Sequence, residues 1–202
     1  MTAVNEPGFA AASIVPMAIV GIIGGGAFGT AMACVVRRSG NEVRLWAREP
    51  EVVEAINAQH ANPHFLAGVA MDHGIRATGD LDAATAGADF VLMAVPSQHV
   101  REVAGAMRAG LRRALPVVSC SKGIERESCA LMPEVLADML PDAVVGMLSG
   151  PSFASEIARD LPCGVMLACA DWSVGESLAR RISNPKFCVH LSDDVRAPPS
   201  PG

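Results

Sequence analysis

Short apolar runs recur along the chain, each followed by a segment with helical spacing, and this alternation predicts most of the elements. Ala18–Ile23 (AIVGII) is apolar throughout, as expected for a strand covered on both faces of a parallel sheet. A glycine turn leads from it into a helix of about three turns that closes at Gly40. The pattern then predicts a strand over Glu42–Ala47, a helix over Pro50–Gln59 and a loop rich in Asn, Pro and Gly over His60–Met71. Further on come strand Gly74–Ala77, helix Asp80–Ala86 capped by Asp80, strand Asp89–Ala94, helix Ser97–Gly110, strand Leu115–Cys120 and helix Glu127–Met139. Strands at Val144–Ser149, Cys163–Ala168 and Phe187–Leu191, a short helix Ala154–Arg159 and a helix Ser173–Ser183 complete the series. Strands and helices alternating at this spacing predict an α/β protein with a doubly wound, mostly parallel sheet.

Residues 7–36 carry no charge, which is long enough to raise a membrane span. Pro16 interrupts the run, the leader MTAVNEP has no basic residue, and five glycines crowd the second half between Gly21 and Gly29. A buried strand followed by a glycine turn accounts for the same letters, so no membrane span is expected and the chain reads as cytoplasmic. The 16 Lys and Arg against 21 Asp and Glu give a net charge of −5, which argues against a nucleic-acid partner. The six cysteines form no CxxC pair and the histidines are scattered, so neither disulfides nor a metal site are expected. Three segments follow: a loose leader over 1–15, one folded domain over 16–193 and a Pro-rich tail over 194–202.

The chemistry begins at Gly24-Gly25-Gly26-Ala27-Phe28-Gly29, a G-x-G-x-x-G placed directly after a strand and before a helix. In a Rossmann-like sheet Gly24 permits the tight turn, Gly26 lets a pyrophosphate approach the backbone, and Gly29 allows close helix–strand packing. The helix start supplies free N–H groups for the phosphates. No carboxylate follows at the usual distance; the second strand ends Trp46-Ala47-Arg48. Arg48 suits a 2′-phosphate, which favours NADP over NAD, although Glu49 and Glu51 leave room for either and a solvated arginine would read the same.

Three more segments follow strand ends, where open α/β sheets bind ligands. Ser97, after Pro96, either caps the next helix or touches the cofactor. Lys122, followed by Gly123, either points into the crevice as a cation or is a surface charge. Ser149-Gly150-Pro151-Ser152 either binds an anion or substrate hydroxyl or is a plain loop with a capping serine.

Together these segments resemble the NAD(P)-dependent glycerol-3-phosphate dehydrogenases, particularly the bacterial type. The resemblance runs through GIIGGGAFGTAMA, VRLWAR, NPHFLAG, AVPSQHVREV, SKGIERES, LSGPSFASEIARDLP and FCVHLSDDV, over residues 18 to 195. It implies hydride transfer between NAD(P)H and dihydroxyacetone phosphate, giving sn-glycerol 3-phosphate for glycerophospholipid synthesis. It implies cofactor contacts at Ala27, Phe28, Arg48, Phe65, Lys122 and Ala154, and substrate contacts at Lys122, Gly150 and Ser152. Lys122 becomes the catalytic cation beside the substrate carbonyl. For full-length members it implies a helical second domain carrying another lysine, and a homodimer. Here the match gives way to RAPPSPG, so the chain reads as a truncated member, with an NAD(P)-binding unit without turnover as the alternative.

Overall fold

The structure is a computed structural model that describes residues 16–192; the expected leader over 1–15 and tail over 194–202 lie outside the described residues. The first strand β1 (Ile19–Ile23) leads through the glycine turn into α1 (Ala27–Arg38) and then β2 (Glu42–Trp46). Helix α2 (Pro50–Gln59) begins on a proline, whose missing N–H costs nothing in a first turn. A two-stranded ribbon, β3 (Ala61–Asn62) against β4 (Leu66–Ala70), precedes β5 (Ile75–Thr78). Helix α3 (Leu81–Thr85) is capped as expected: the Asp80 carboxylate accepts the Asp82 N–H at 2.9 Å. The chain then crosses back to β6 (Phe90–Met93), followed by a 3₁₀ turn (Ser97–His99), α4 (Val100–Met107), β7 (Pro116–Ser119), α5 (Met132–Met139) and β8 (Val144–Ser149). It ends with α6 (Ala154–Ala158), β9 (Cys163–Cys169), α7 (Trp172–Ile182) and β10 (Phe187–Ser192).

Eight strands form one sheet in the order β10-β9-β8-β7-β6-β1-β2-β5. From β5 through β8 every pair is parallel, and β1 stands between β2 and β6, so the chain runs outward on both sides of it. That reversal leaves a crevice at the carboxyl ends of β1 and β6. Strand β9 runs antiparallel to β8, and β10 follows β9 in parallel. Because β9 runs the opposite way, residues 150–162 never cross the sheet and α6 stays at the same edge as the crevice.

The sheet divides the core. Along β6, Phe90 and Leu92 pack into a layer with α1, α2, α6 and α7, while Val91 and Met93 pack into a second layer with α4 and α5. This two-sided burial explains the uninterrupted apolar run.

Three sequence expectations need correction. The segment 60–71 is a ribbon and not a loop, because Asn62 is fully buried and hydrogen-bonded to the glycine turn. The helix expected from Glu127 starts at Met132; Cys129 adopts a positive φ of 56°, and the Glu134 carboxylate accepts the Leu131 N–H to define the start. The helix expected over Ser97–Gly110 divides into the 3₁₀ turn and α4, and the Ser97 hydroxyl caps neither piece. Ser97 instead accepts a hydrogen bond from the Gln98 amide at 3.2 Å.

Candidate functional site

The glycine turn closes on itself with little spare room. Gly24 has a φ of 127°, in the region L side chains rarely adopt, and a Cβ there would sit 2.7 Å from the Ala94 carbonyl oxygen. At Gly29 a Cβ would lie 1.9 Å from the Gly24 carbonyl oxygen, so helix α1 can approach the turn only without a side chain. Gly26 differs from both: a Cβ there would meet nothing within 4 Å. Its backbone borders open space at the very start of α1, where no side chain caps the helix and no acidic residue stands in the first turn. The first N–H groups and the positive end of the dipole therefore face the crevice with no anion from the helix's own first turn.

That open space is a cavity of about 770 Å³, within the size range of ligand pockets. Gly24, Gly26, Ala27, Phe28, Arg48, Phe65 and Lys122, all singled out from sequence, line it. Gly29 lies beneath it, buried under the turn. Arg48 stands at the rim with 70% of its side chain exposed, and its guanidinium is 3.5 Å from the Glu49 carboxylate. Phe65 is half-exposed and forms part of the wall.

Gly150, Ser152 and Ala154 lie outside the cavity lining but beside it. The Lys122 ammonium donates to the Gly150 carbonyl at 3.1 Å, and the Ser152 hydroxyl donates to the same oxygen at 3.4 Å. Ser152 does not cap α6, whose N-cap is Phe153 without a side-chain bond. Ala154 opens α6, which packs on α1. The Arg38 guanidinium holds the far end of α6 through the Ile157 and Ala158 carbonyls.

Several residues of the site went unmarked in the sequence. Asn62, fully buried, donates through one amide nitrogen to the Gly25 carbonyl and the Thr30 hydroxyl, both at 2.8 Å. Its oxygen accepts the Phe65 N–H at 3.2 Å. One side chain thus ties the glycine turn, the first turn of α1 and the Phe65 wall together. The Ser121 hydroxyl donates to the Val95 carbonyl at 2.6 Å and fixes the end of β7 against β6. Glu102, Val103 and Ala106 project into the cavity from one face of α4, a spacing that helical periodicity alone could have flagged.

Cys120 also lines the cavity, yet it is 5% exposed and burial pushes its thiol up to about 12. Iodoacetamide at about pH 8 is expected to alkylate the exposed Cys129 and Cys188 and to spare Cys120, because only thiolates react. Peptide mapping by mass spectrometry reads this directly. Alkylated Cys120 in folded protein would mean that the wall around it opens.

Among the described residues no helix is long and apolar enough to cross a membrane, and no three His, Cys, Asp or Glu side chains gather as a metal site. Residues 19–175 match the family model of the NAD-dependent glycerol-3-phosphate dehydrogenase N-terminus. The glycerol-3-phosphate dehydrogenase (NAD(P)+) of Paramagnetospirillum magneticum is 49% identical over 176 residues, covering 87% of this chain and 64% of that protein. Its counterpart in Caulobacter vibrioides is 47% identical, covering 87% of this chain and 53% of that protein. A crystal structure of glycerol-3-phosphate dehydrogenase from Coxiella burnetii superposes with a TM-score of 0.83 at 32% identity, over 88% of this chain and 55% of that one. The chain therefore spans little more than half the length of these relatives.

Proposed function

The chain belongs to the NAD-dependent glycerol-3-phosphate dehydrogenase family through that family's N-terminal part, and from this premise we propose that it binds a nicotinamide dinucleotide in the crevice and serves the reversible conversion of dihydroxyacetone phosphate to sn-glycerol 3-phosphate. In this reading the product feeds glycerophospholipid synthesis in the cytoplasm. The observation that carries the proposal is the contrast among the glycines. Gly24 and Gly29 have no room for a side chain, while Gly26 opens onto the cavity at an uncapped helix start. A dinucleotide's pyrophosphate fits such a cradle, with the α1 N–H groups as donors.

The bound cofactor supplies the hydride. The chain's own residues bind, orient and polarise. Arg48 offers two parallel N–H donors at the rim, which suits the 2′-phosphate of NADP. Phe65, Ala27 and Phe28 give apolar walls, and Ala154 brings α6 against the same edge. Lys122 spends one N–H on Gly150; its remaining donors are free to polarise a substrate carbonyl, with Ser152 and Gly150 beside it.

A fluorescence titration of the purified chain with NADPH, and with NADH in parallel, tests the reading. Saturable binding is expected, and a folded chain that binds neither overturns it. Arg48→Asp is expected to weaken NADPH at least about tenfold more than NADH, since it replaces two charged hydrogen bonds by repulsion. Equal losses would remove the 2′-phosphate assignment. Turnover of dihydroxyacetone phosphate in the same samples separates catalysis from binding alone.

A further inference from the structure

Lys122 is exposed and sits in a segment, residues 120–131, that belongs to no helix or long strand. Gly123 beside it has a φ of 118°, which L side chains rarely adopt, so the chain leaves Lys122 through a turn that suits glycine. The segment is held by Gln98 of the 3₁₀ turn, by Arg101 of α4 and by its own Ser128. The Gln98 amide donates to the Ile124 carbonyl at 2.9 Å and accepts the Arg126 N–H at 3.1 Å. Glu125, three residues after Lys122 and 8% exposed, receives Arg101 in a two-pronged bond, 2.8 Å to one carboxylate oxygen and 2.9 Å to the other. The Ser128 hydroxyl donates to the same carboxylate. Arg101 in turn reaches Asp138 of α5 at 2.5 Å, so the pair spans α4, the segment and α5.

The packing of this half of the protein does not need that ion pair. Leu115 and Val117 of β7 and its approach, and Met132, Val135 and Leu136 of α5, are buried in their own apolar cluster. Glu125 is buried but the Arg101 side chain is 37% exposed. Such a pair adds little net stability, because desolvation and solvent screening offset its attraction, and what it contributes is a defined geometry. The fork of an arginine on a carboxylate fixes both distance and plane, as a lysine would not.

We propose that Arg101 and Glu125 are positioning residues that hold the 120–131 segment so that Lys122 is presented at the crevice beside Gly150. The proposal rests on the reading of Lys122 given above, and it assigns neither Arg101 nor Glu125 a contact with cofactor or substrate. The Arg101 guanidinium and the Ser128 hydroxyl hold the Glu125 carboxyl below the usual carboxylate range, so the pair is ionised at neutral pH.

The test compares Glu125→Gln, Lys122→Ala and the double variant of the whole chain, by NADPH titration, thermal unfolding and amide hydrogen exchange over residues 121–126 without cofactor. Glu125→Gln is expected to lower the unfolding temperature by only a few degrees, because Arg101 is partly exposed and keeps Asp138, while it exchanges these amides about tenfold faster and binds NADPH about tenfold more weakly. Lys122→Ala is expected to lose a similar factor in affinity, and the double variant no more than either single one, since both act through the same ammonium. Unchanged exchange in Glu125→Gln overturns the proposal. So does a double-variant loss equal to the product of the single losses. Should Lys122→Ala bind NADPH normally, the reading of Lys122 fails, and exchange alone decides whether the pair orders the segment. If Glu125→Gln does not fold, Ser128→Ala, which removes one bond to the same carboxylate, gives the same comparison.

Discussion

Gly26→Asp is expected to leave the chain as stable as the parent, or slightly more so, while weakening NADPH binding by on the order of a hundredfold or more. A Cβ at Gly26 meets nothing within 4 Å, so the carboxylate enters open space without a clash. Aspartate is among the best residues at a helix N-cap, where Gly26 stands, and its charge complements the dipole. The same charge would occupy the place left for a pyrophosphate, where two like charges repel in a partly enclosed crevice. Binding and stability should thus move apart. Thermal unfolding and NADPH titration on one preparation read both, and undiminished binding would mean that the phosphates lie elsewhere.

Gly29→Ala, three residues further on, is expected to do the reverse and damage the fold first. Its Cβ would fall 1.9 Å from the Gly24 carbonyl oxygen, a backbone atom that cannot turn aside as a side chain could. Relief requires α1 to move away from the turn, yet Thr30 and Asn62 bind that turn through buried hydrogen bonds. Overpacking of this kind is expected to cost about 3 kcal/mol or more, which lowers the unfolding temperature by about 10 °C in a chain of this length. Cofactor binding falls with it. A variant of parental stability would show that the helix start has slack that the geometry denies.

The sequence made the sheet and the glycine turn legible because both are written in neighbouring residues. The β1 run, the spacing of three glycines and Pro50 at the start of α2 each act locally, and the structure keeps all three where they were expected. What escaped was written between distant residues. Asn62 reads as one polar letter in a loop; only its bonds to Gly25 and Thr30, 37 and 32 positions earlier, make it buried and turn its surroundings into a ribbon. The segment 127–131 has helical letters, but Glu125 is held by Arg101 and Ser128, and Cys129 turns the chain through a positive φ. The pairing of β8 beside β7, which sets Gly150 next to Lys122, and the reversed direction of β9 both leave no trace in apolar runs.

The sheet that separates the two apolar layers also separates two units of local opening. The glycine turn, Asn62 and the α6 edge rest on the layer of α1, α2, α6 and α7, whereas the segment after β7 is pinned to α4 and α5 on the other side. The Lys122–Gly150 bond joins the two sides at the crevice; away from it, each layer can loosen with little disturbance of the contacts of its opposite. A ligand lying across the crevice from Gly26 to Lys122 touches both. It would act as a weld, converting two separately breathing halves into one cooperative body.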